Sequence, residues 1–276
     1  GDPMLRSWQD VIVKWRLVPN DLPGDAPEAR QHADAARSAL LDGRLDTAHD
    51  EFRTAARLRD DPLDQVGLGD VALARGRWRR AEEHYRRALT AGGVAGLLAR
   101  LGITQVLVGE GRAAGAVTDL EHLVADRPSD PTLRYYLASA WYSAAEQCRA
   151  RTEDDTLVIT SEQQLLVCEQ AAERILSLHV GDDELDRGAE QLLREVALGR
   201  RWTWSPEGIA VSLAVLTVAL GLVTVVAGGL MGDPVLVVVG ALAGAGLVFA
   251  IVFRFRRQAW RRRAREMAAR ITKPGV

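Results

Sequence analysis

The sequence predicts an all-α protein: an array of helix pairs followed by a C-terminal hairpin of two transmembrane helices. Three observations carry that expectation. Residues 208–232 contain no charged side chain and neither do residues 234–253, although charged residues make up 26% of the chain. Residues 41–55 and 74–88 repeat one another at a period of 33. Upstream of the uncharged runs the chain is charged and rich in Ala, Leu and Arg, and 276 residues suffice for one soluble domain with a sizeable core plus an anchor.

Each uncharged run meets the ~20 apolar residues that a helix needs to cross hydrocarbon. The expected hairpin domain is 201–253, with spans at about 208–230 and 235–253. Met231-Gly232-Asp233-Pro234 is too short a link to hold a domain, so the two helices are antiparallel neighbours. Arg200 and Arg201 precede the first span, Arg254, Arg256, Arg257, Arg261, Arg262 and Arg263 follow the second, and the link carries only Asp233. By the positive-inside rule both termini face the cytoplasm, which makes the chain a two-span protein of a bacterial plasma membrane. Trp202 and Trp204 stand where an interfacial aromatic belt is expected, and Ser205-Pro206 reads as an N-cap with a first-turn proline. Gly240 and Gly244, four residues apart, let helix backbones approach closely, either within the hairpin or in self-association. No ionisable residue lies in either span, which argues against a proton relay.

The tail, residues 254–276, carries a net +8 and the remainder −10. A basic tail beside an acidic body points to anionic lipid at the tail and away from nucleic acid. Arg254–Thr272 is expected to continue as a basic helix along the inner leaflet, with Phe255 and Trp260 among its apolar contacts. Arg outnumbers Lys by 33 to 2, the usage of a GC-rich bacterial, actinobacterial-type genome. Gly1-Asp2-Pro3 before Met4 reads as a cloning remnant, and Val11–Val13 is too short for a signal-peptide core. Cys148 and Cys168 form no ligand cluster and are expected as reduced thiols.

The repeat has a physical logic. Gly43 and Gly76 turn the chain between two helices, Ala48 and Ala81 permit close approach, Phe52 and Tyr85 fill the gap, and Ala55 and Ala88 continue the face. A third unit follows, with Leu101-Gly102 in its first helix and Gly111, Ala116, Leu120, Leu123 and Pro128 in its second. Two extra residues between these halves predict a departure at its turn. A fourth first helix is expected from Pro131 to Arg149. A charged insertion, Arg151–Ile159, delays its partner, which restarts behind a Ser161/Gln164 capping box and runs to Leu178. Asp182–Gly199 reads as a capping helix.

This pattern resembles the tetratricopeptide repeat family, whose units of about 34 residues are antiparallel helix pairs. Leu68-Gly69 and Ala72 occupy that family's first-helix positions, whereas the first unit departs from it with His32, Ala35, Ala36 and Ala39. The resemblance covers about residues 29–180, within an expected domain at 29–200. It implies a superhelix whose inner wall is built from first helices and binds an extended peptide or another protein's helix. Carried onto this register, the wall-facing residues are Arg30, Arg37, Asp70, Leu73, Val106, Tyr135, Ser139 and Tyr142. Arg30 and Arg37 share a face and suit a carboxylate; Tyr135 and Tyr142 offer amphipathic contact surface.

The N-terminal segment and Pro-rich linker, residues 1–28, place Trp8, Val11, Ile12 and Trp15 on one helical face, though Val11–Trp15 also reads as a strand. The segment folds back on the array, touches the membrane or docks a partner. No phosphate loop, HExxH, GxSxG or kinase pattern occurs, and the five histidines are scattered, so neither catalysis nor a metal nor a cofactor is expected. The expected function is a membrane-anchored scaffold that recruits a cytoplasmic protein or peptide. The alternative is a membrane effector or transport-complex subunit whose hairpin oligomerises under control of the repeats.

Overall fold

The computed structural model describes residues 10–19, 26–204 and 208–275, with backbone alone at 202–204, 208–211, 255 and 257. Trp8 and Ser205-Pro206 lie outside the described residues. The chain divides into two compact units. One holds the chain up to Cys148 together with Leu166–Leu193, and the other holds Arg149–Leu165 together with Arg194–Gly275.

The first unit is built from successive helix pairs: α1 (Pro27–Leu41) with α2 (Leu45–Leu58), α3 (Pro62–Ala74) with α4 (Trp78–Leu89), and α5 (Gly93–Gly109) with α6 (Ala113–Asp126). Helix α7 (Pro131–Cys148) packs on α6. Helices α8 (Glu162–Leu178) and α9 (Asp183–Arg200) begin and end in different units. Asp-Pro pairs start α3 and α7. Asp61 accepts from the Leu63 N–H at 2.9 Å, and Asp130 from Thr132 at 2.9 Å and Leu133 at 3.2 Å, while the proline sits where no N–H is needed.

The three pairs close with one turn, repeated. The N–H of Arg44 bonds Ala39 O at 2.8 Å, that of Arg77 bonds Ala72 O at 2.9 Å, and that of Arg112 bonds Leu107 O at 2.8 Å. In each, the preceding glycine (Gly43, Gly76 or Gly111) has a left-handed φ, between 70° and 81°. The turn at Gly111 therefore does not depart from the pattern. The two extra residues are absorbed by a longer first helix, 17 residues in α5 against 13 in α3.

Tyr85 shows why the spacing of small residues matters. A Cβ on Gly69 would lie 2.6 Å from its ring and one on Gly102 2.4 Å, so the ring fills a slot between α3 and α5 that only two glycines leave open. Phe52 does the same against Gly67. The alanines at 48, 55, 81 and 88 are fully buried beside these rings. The first pair forms without the Leu-Gly pair of α3 and α5: Ala29, Ala36, Ala39 and Leu40 supply its buried face.

Helix α8 is tied to the array through Glu121 on α6. That carboxylate accepts from Arg174 at 2.9 Å on both oxygens and from the Trp141 indole at 2.9 Å. The Arg174 guanidinium holds the Glu121 carboxyl below its ordinary value.

The second unit contains the hairpin, α10 (Gly208–Met231) and α11 (Pro234–Phe255). Both are long and apolar enough to cross a membrane; only 11% of the first apolar window and 6% of the second is buried within the protein. Leu230 is 85% and Phe253 74% exposed, an arrangement that suits hydrocarbon and not water. Asp233 caps α11 through the N–H groups of Val235 and Leu236, at 3.0 and 3.3 Å. Thr217 and Thr224 return their hydroxyls to the carbonyls of Leu213 and Leu220, leaving no orphaned donor in an apolar setting.

The tail does not continue as one basic helix. It forms strand β4 (Arg256–Gln258), helix α12 (Ala259–Met267), a 3-10 turn and strand β5 (Ile271–Lys273). Strand β3 (Trp202–Trp204) pairs antiparallel with β4, so backbone bonds join the segments flanking the hairpin. The expected charged insertion forms strands β1 (Ala150–Thr152) and β2 (Leu157–Val158), and β5 adds to β1. Arg270 pairs there with Glu153 and Asp154. The chain departs from helix here because nearby chain ends supply backbone partners that an isolated nine-residue helix lacks.

Candidate functional site: the inner wall and its occupant

Asp10–Val13 forms a helical turn that tightens into a 3-10 turn over Lys14–Leu17. This segment lies on the helices that carry the expected wall residues. Val11, Trp15 and Val18 join one buried cluster with Leu73 and Val106.

At its centre is a fully buried carboxylate. Asp70 on α3 accepts from the Trp15 indole at 2.6 Å and from the Tyr85 hydroxyl at 2.5 Å, and it pairs with the Lys14 ammonium. Lys14 and Asp70 both have no solvent exposure. The ammonium also donates to Gln105 Oε1 at 2.9 Å and lies 4.9 Å from the centre of the Tyr85 ring. Burial pulls the Lys14 amine below its ordinary value and pushes the Asp70 carboxyl above its own; their mutual attraction opposes both shifts. Burial likewise raises the hydroxyls of Tyr85 and Tyr136, which stay protonated as donors.

The rim holds the segment by its backbone. Arg37 donates to the Trp15 carbonyl at 3.0 Å and stacks over its ring at 5.6 Å. The Tyr136 hydroxyl accepts the Lys14 N–H at 3.1 Å and donates to the Asp10 carbonyl. Tyr135 donates to the Asp10 carboxylate at 2.7 Å and Ser139 at 3.4 Å. Trp15 stacks on Phe52, centroids 6.1 Å apart.

Six of the eight expected wall residues thus meet around one segment: Arg37, Asp70, Leu73, Val106, Tyr135 and Ser139. Arg30 is exposed on α1, and Arg37 takes a carbonyl and an aromatic face. Tyr142 faces α9, where a Cβ on Gly188 would lie 2.5 Å from its ring. Sequence reasoning missed Lys14, Tyr85 as a polar group, Gln105 and Tyr136. A signal was present: Lys14 is the one charge in Val11–Trp15 and Asp70 the one charge in Val66–Ala74. Two lone opposite charges in apolar surroundings are candidates for each other.

Open space adjoins the start of the segment and runs along its middle. A cavity of about 450 Å³ is lined by Asp10, Val11, Leu73, Gln105, Ser139 and Tyr142 among others. Another of about 880 Å³ is lined by Ile12, Arg16, Leu17, Arg37, Leu41 and Tyr135 among others.

In the hairpin, a Cβ on Gly240 would stand 2.7 Å from Thr224, and Gly244 faces the Gly221 backbone. Both also line an apolar groove of about 530 Å³ with Ala241, Ala245 and Phe249. Of the interface candidates, Arg254, Arg256 and Arg261 are exposed. Trp260 is half-buried, donates to Gln258 at 2.8 Å and is covered by Arg261 at 5.3 Å. The side chains of Trp202, Trp204 and Arg257 lie outside the described residues. Among the described residues, no three His, Cys, Asp or Glu side chains converge as metal ligands. His32 pairs with Glu51 at 2.5 Å and His84 with Gln65 at 2.9 Å.

No family model, curated protein or solved structure matches this chain.

Proposed function

We propose that this chain is a non-enzymatic, membrane-anchored adaptor of the tetratricopeptide-repeat kind. Its inner wall receives a peptide segment of a cytoplasmic protein, and its hairpin holds that wall at the inner face of a bacterial plasma membrane with both termini cytoplasmic. The observation that carries this reading is the wall itself. Helices α1, α3, α5 and α7 present an arginine, a carboxylate, an amide oxygen and tyrosine hydroxyls to the main chain and side chains of a short segment, as peptide receptors do. The uncharged, outward-facing hairpin and the arginines after it support anchoring with anionic lipid at the tail. Tethering raises the local concentration of a recruited partner without any new contact.

Two measurements test the proposal. A reporter fused at Val276 stays inside the cell if the orientation is right, and export of that reporter overturns it. Crosslinking in native membranes should join a discrete protein to α3, α5 or α7; crosslinks confined to the hairpin would contradict the adaptor reading.

The apolar groove beside Gly240 and Gly244 favours a second reading, self-association of the hairpin. Ala241→Leu fills that groove from an exposed position. Loss of a crosslinked oligomer in the variant supports this reading, and a monomeric wild type removes it.

A further inference from the structure

We propose that the Asp70 cradle is a receptor for basic–aromatic peptide segments, a Lys or Arg followed by Trp, and that Asp10–Val18 is its resident, displaceable occupant. This rests on the adaptor reading and names the partner's chemistry.

The segment contacts the array as a ligand contacts a receptor. It touches α1 through Arg37, α3 through Asp70, α4 through Tyr85, α5 through Gln105, and α7 through Tyr135, Tyr136 and Ser139. It lies outside the succession of helix pairs, so the array's own repeat geometry does not require it.

Charge dictates what can take its place. Among the described residues, the array's own donor to Asp70 is the Tyr85 hydroxyl; the ammonium and indole come from the segment. A ligand that covers Asp70 without bringing a cation buries a lone carboxylate, which strongly disfavours acidic and purely apolar segments. A cation followed by an indole N–H restores both missing partners. The rim adds further selection. Tyr136 and Arg37 read carbonyls and an N–H, which any sequence in this helical turn presents. Tyr135 and Ser139 read a carboxylate four residues before the cation, and the buried cluster reads Val11 and Val18 at −3 and +4. The recognised pattern is therefore an acid, an apolar residue, two free positions, Lys or Arg, Trp, one free position and two apolar residues, the first of them at the place of Leu17, which packs against the cluster. The cavities beside the start and the middle of the segment give an incoming chain room to engage before the resident one leaves.

The test uses the full-length protein in nanodiscs and a fluorescent synthetic peptide with the sequence of residues 10–18. In the Lys14→Ala/Trp15→Ala protein, which unseats its own segment, the peptide should bind at least about tenfold tighter than in wild type, because self-occupancy no longer competes. Adding Asp70→Asn should remove that gain, and a peptide with Glu in place of its Lys should not bind. Equal binding to wild type and variant, indifference to Asp70→Asn, or no binding by a variant of unchanged helical content overturns the proposal. If the double variant loses helical content, Asp10→Ala/Val11→Ala loosens the segment without touching the cradle, and the same outcomes decide. A cellular partner crosslinked away from Asp70 would leave the adaptor standing and remove this inference. A peptide seated on Asp70 without any cellular partner would do the reverse.

Discussion

The inner wall and the hairpin solve opposite solvation problems. The wall buries a charge, and among the described residues no buried side-chain nitrogen or oxygen lacks a hydrogen-bond partner. The hairpin buries almost nothing and carries no charge in its spans. In the wall, selectivity comes from electrostatics that is costly to leave incomplete. In the hairpin, the proposed membrane position would come from transfer of whole side chains out of water, a term that sums over residues and hardly depends on which neighbour each one touches. The wall should therefore fail through single polar changes with a specific rescue, and the hairpin through single charges with no partner to rescue them.

The largest expected effect is in the wall. Lys14→Met leaves Asp70 unpaired wherever the segment stays seated; release of the segment caps the loss, so the cost in unfolding free energy should be at most about 3–5 kcal/mol. Asp70→Asn in the same chain removes the lone charge while keeping an acceptor for Trp15 and Tyr85, so it should restore much of that loss. Denaturant titration of the four proteins in detergent reads the cycle. Equal destabilisation of the single and double variants would show that the pair matters only through packing.

Next is the hairpin. Leu222 lies within the first span and is exposed. Leu222→Arg should cost about 2.5–3.5 kcal/mol of insertion, read as loss of alkali-resistant membrane association, whereas Leu222→Ala should change little. An arginine tolerated there would mean that this face does not meet lipid.

The smallest effect is outside both. Glu121, partly exposed and held by Arg174, should contribute under about 1 kcal/mol. Its carboxyl titrates below its ordinary value, so the contribution is present at neutral pH and lost as pH falls through that depressed value. Amide exchange in α8 should rise in acid in wild type and show a weaker acid response in Glu121→Gln.

The same contrast explains what the sequence made legible. The hairpin could be read because hydropathy is a property of a run of residues and needs no knowledge of contacts. The helix pairs could be read because Gly43/Gly76, Ala48/Ala81 and Phe52/Tyr85 repeat one packing solution. The wall was legible as a surface only through the resemblance, whose first-helix register placed Asp70, Tyr135 and Ser139 together. Its occupant was not: Lys14 and Asp70 are 56 positions apart, Asp10 and Ser139 are 129 apart, and no periodicity links them. The tail was misread for a related reason. A basic run favours a helix along lipid when considered alone, but strands β1 and β3 offer it backbone partners from distant sequence.

The central claim, that the chain's own segment sits on Asp70 and its neighbours, is tested most directly at one amide. The Lys14 N–H donates to the Tyr136 hydroxyl. In hydrogen exchange on the full-length protein in nanodiscs, that amide should be strongly protected and should lose protection in Tyr136→Phe. Exchange at the rate of an unstructured peptide in wild type would contradict the account.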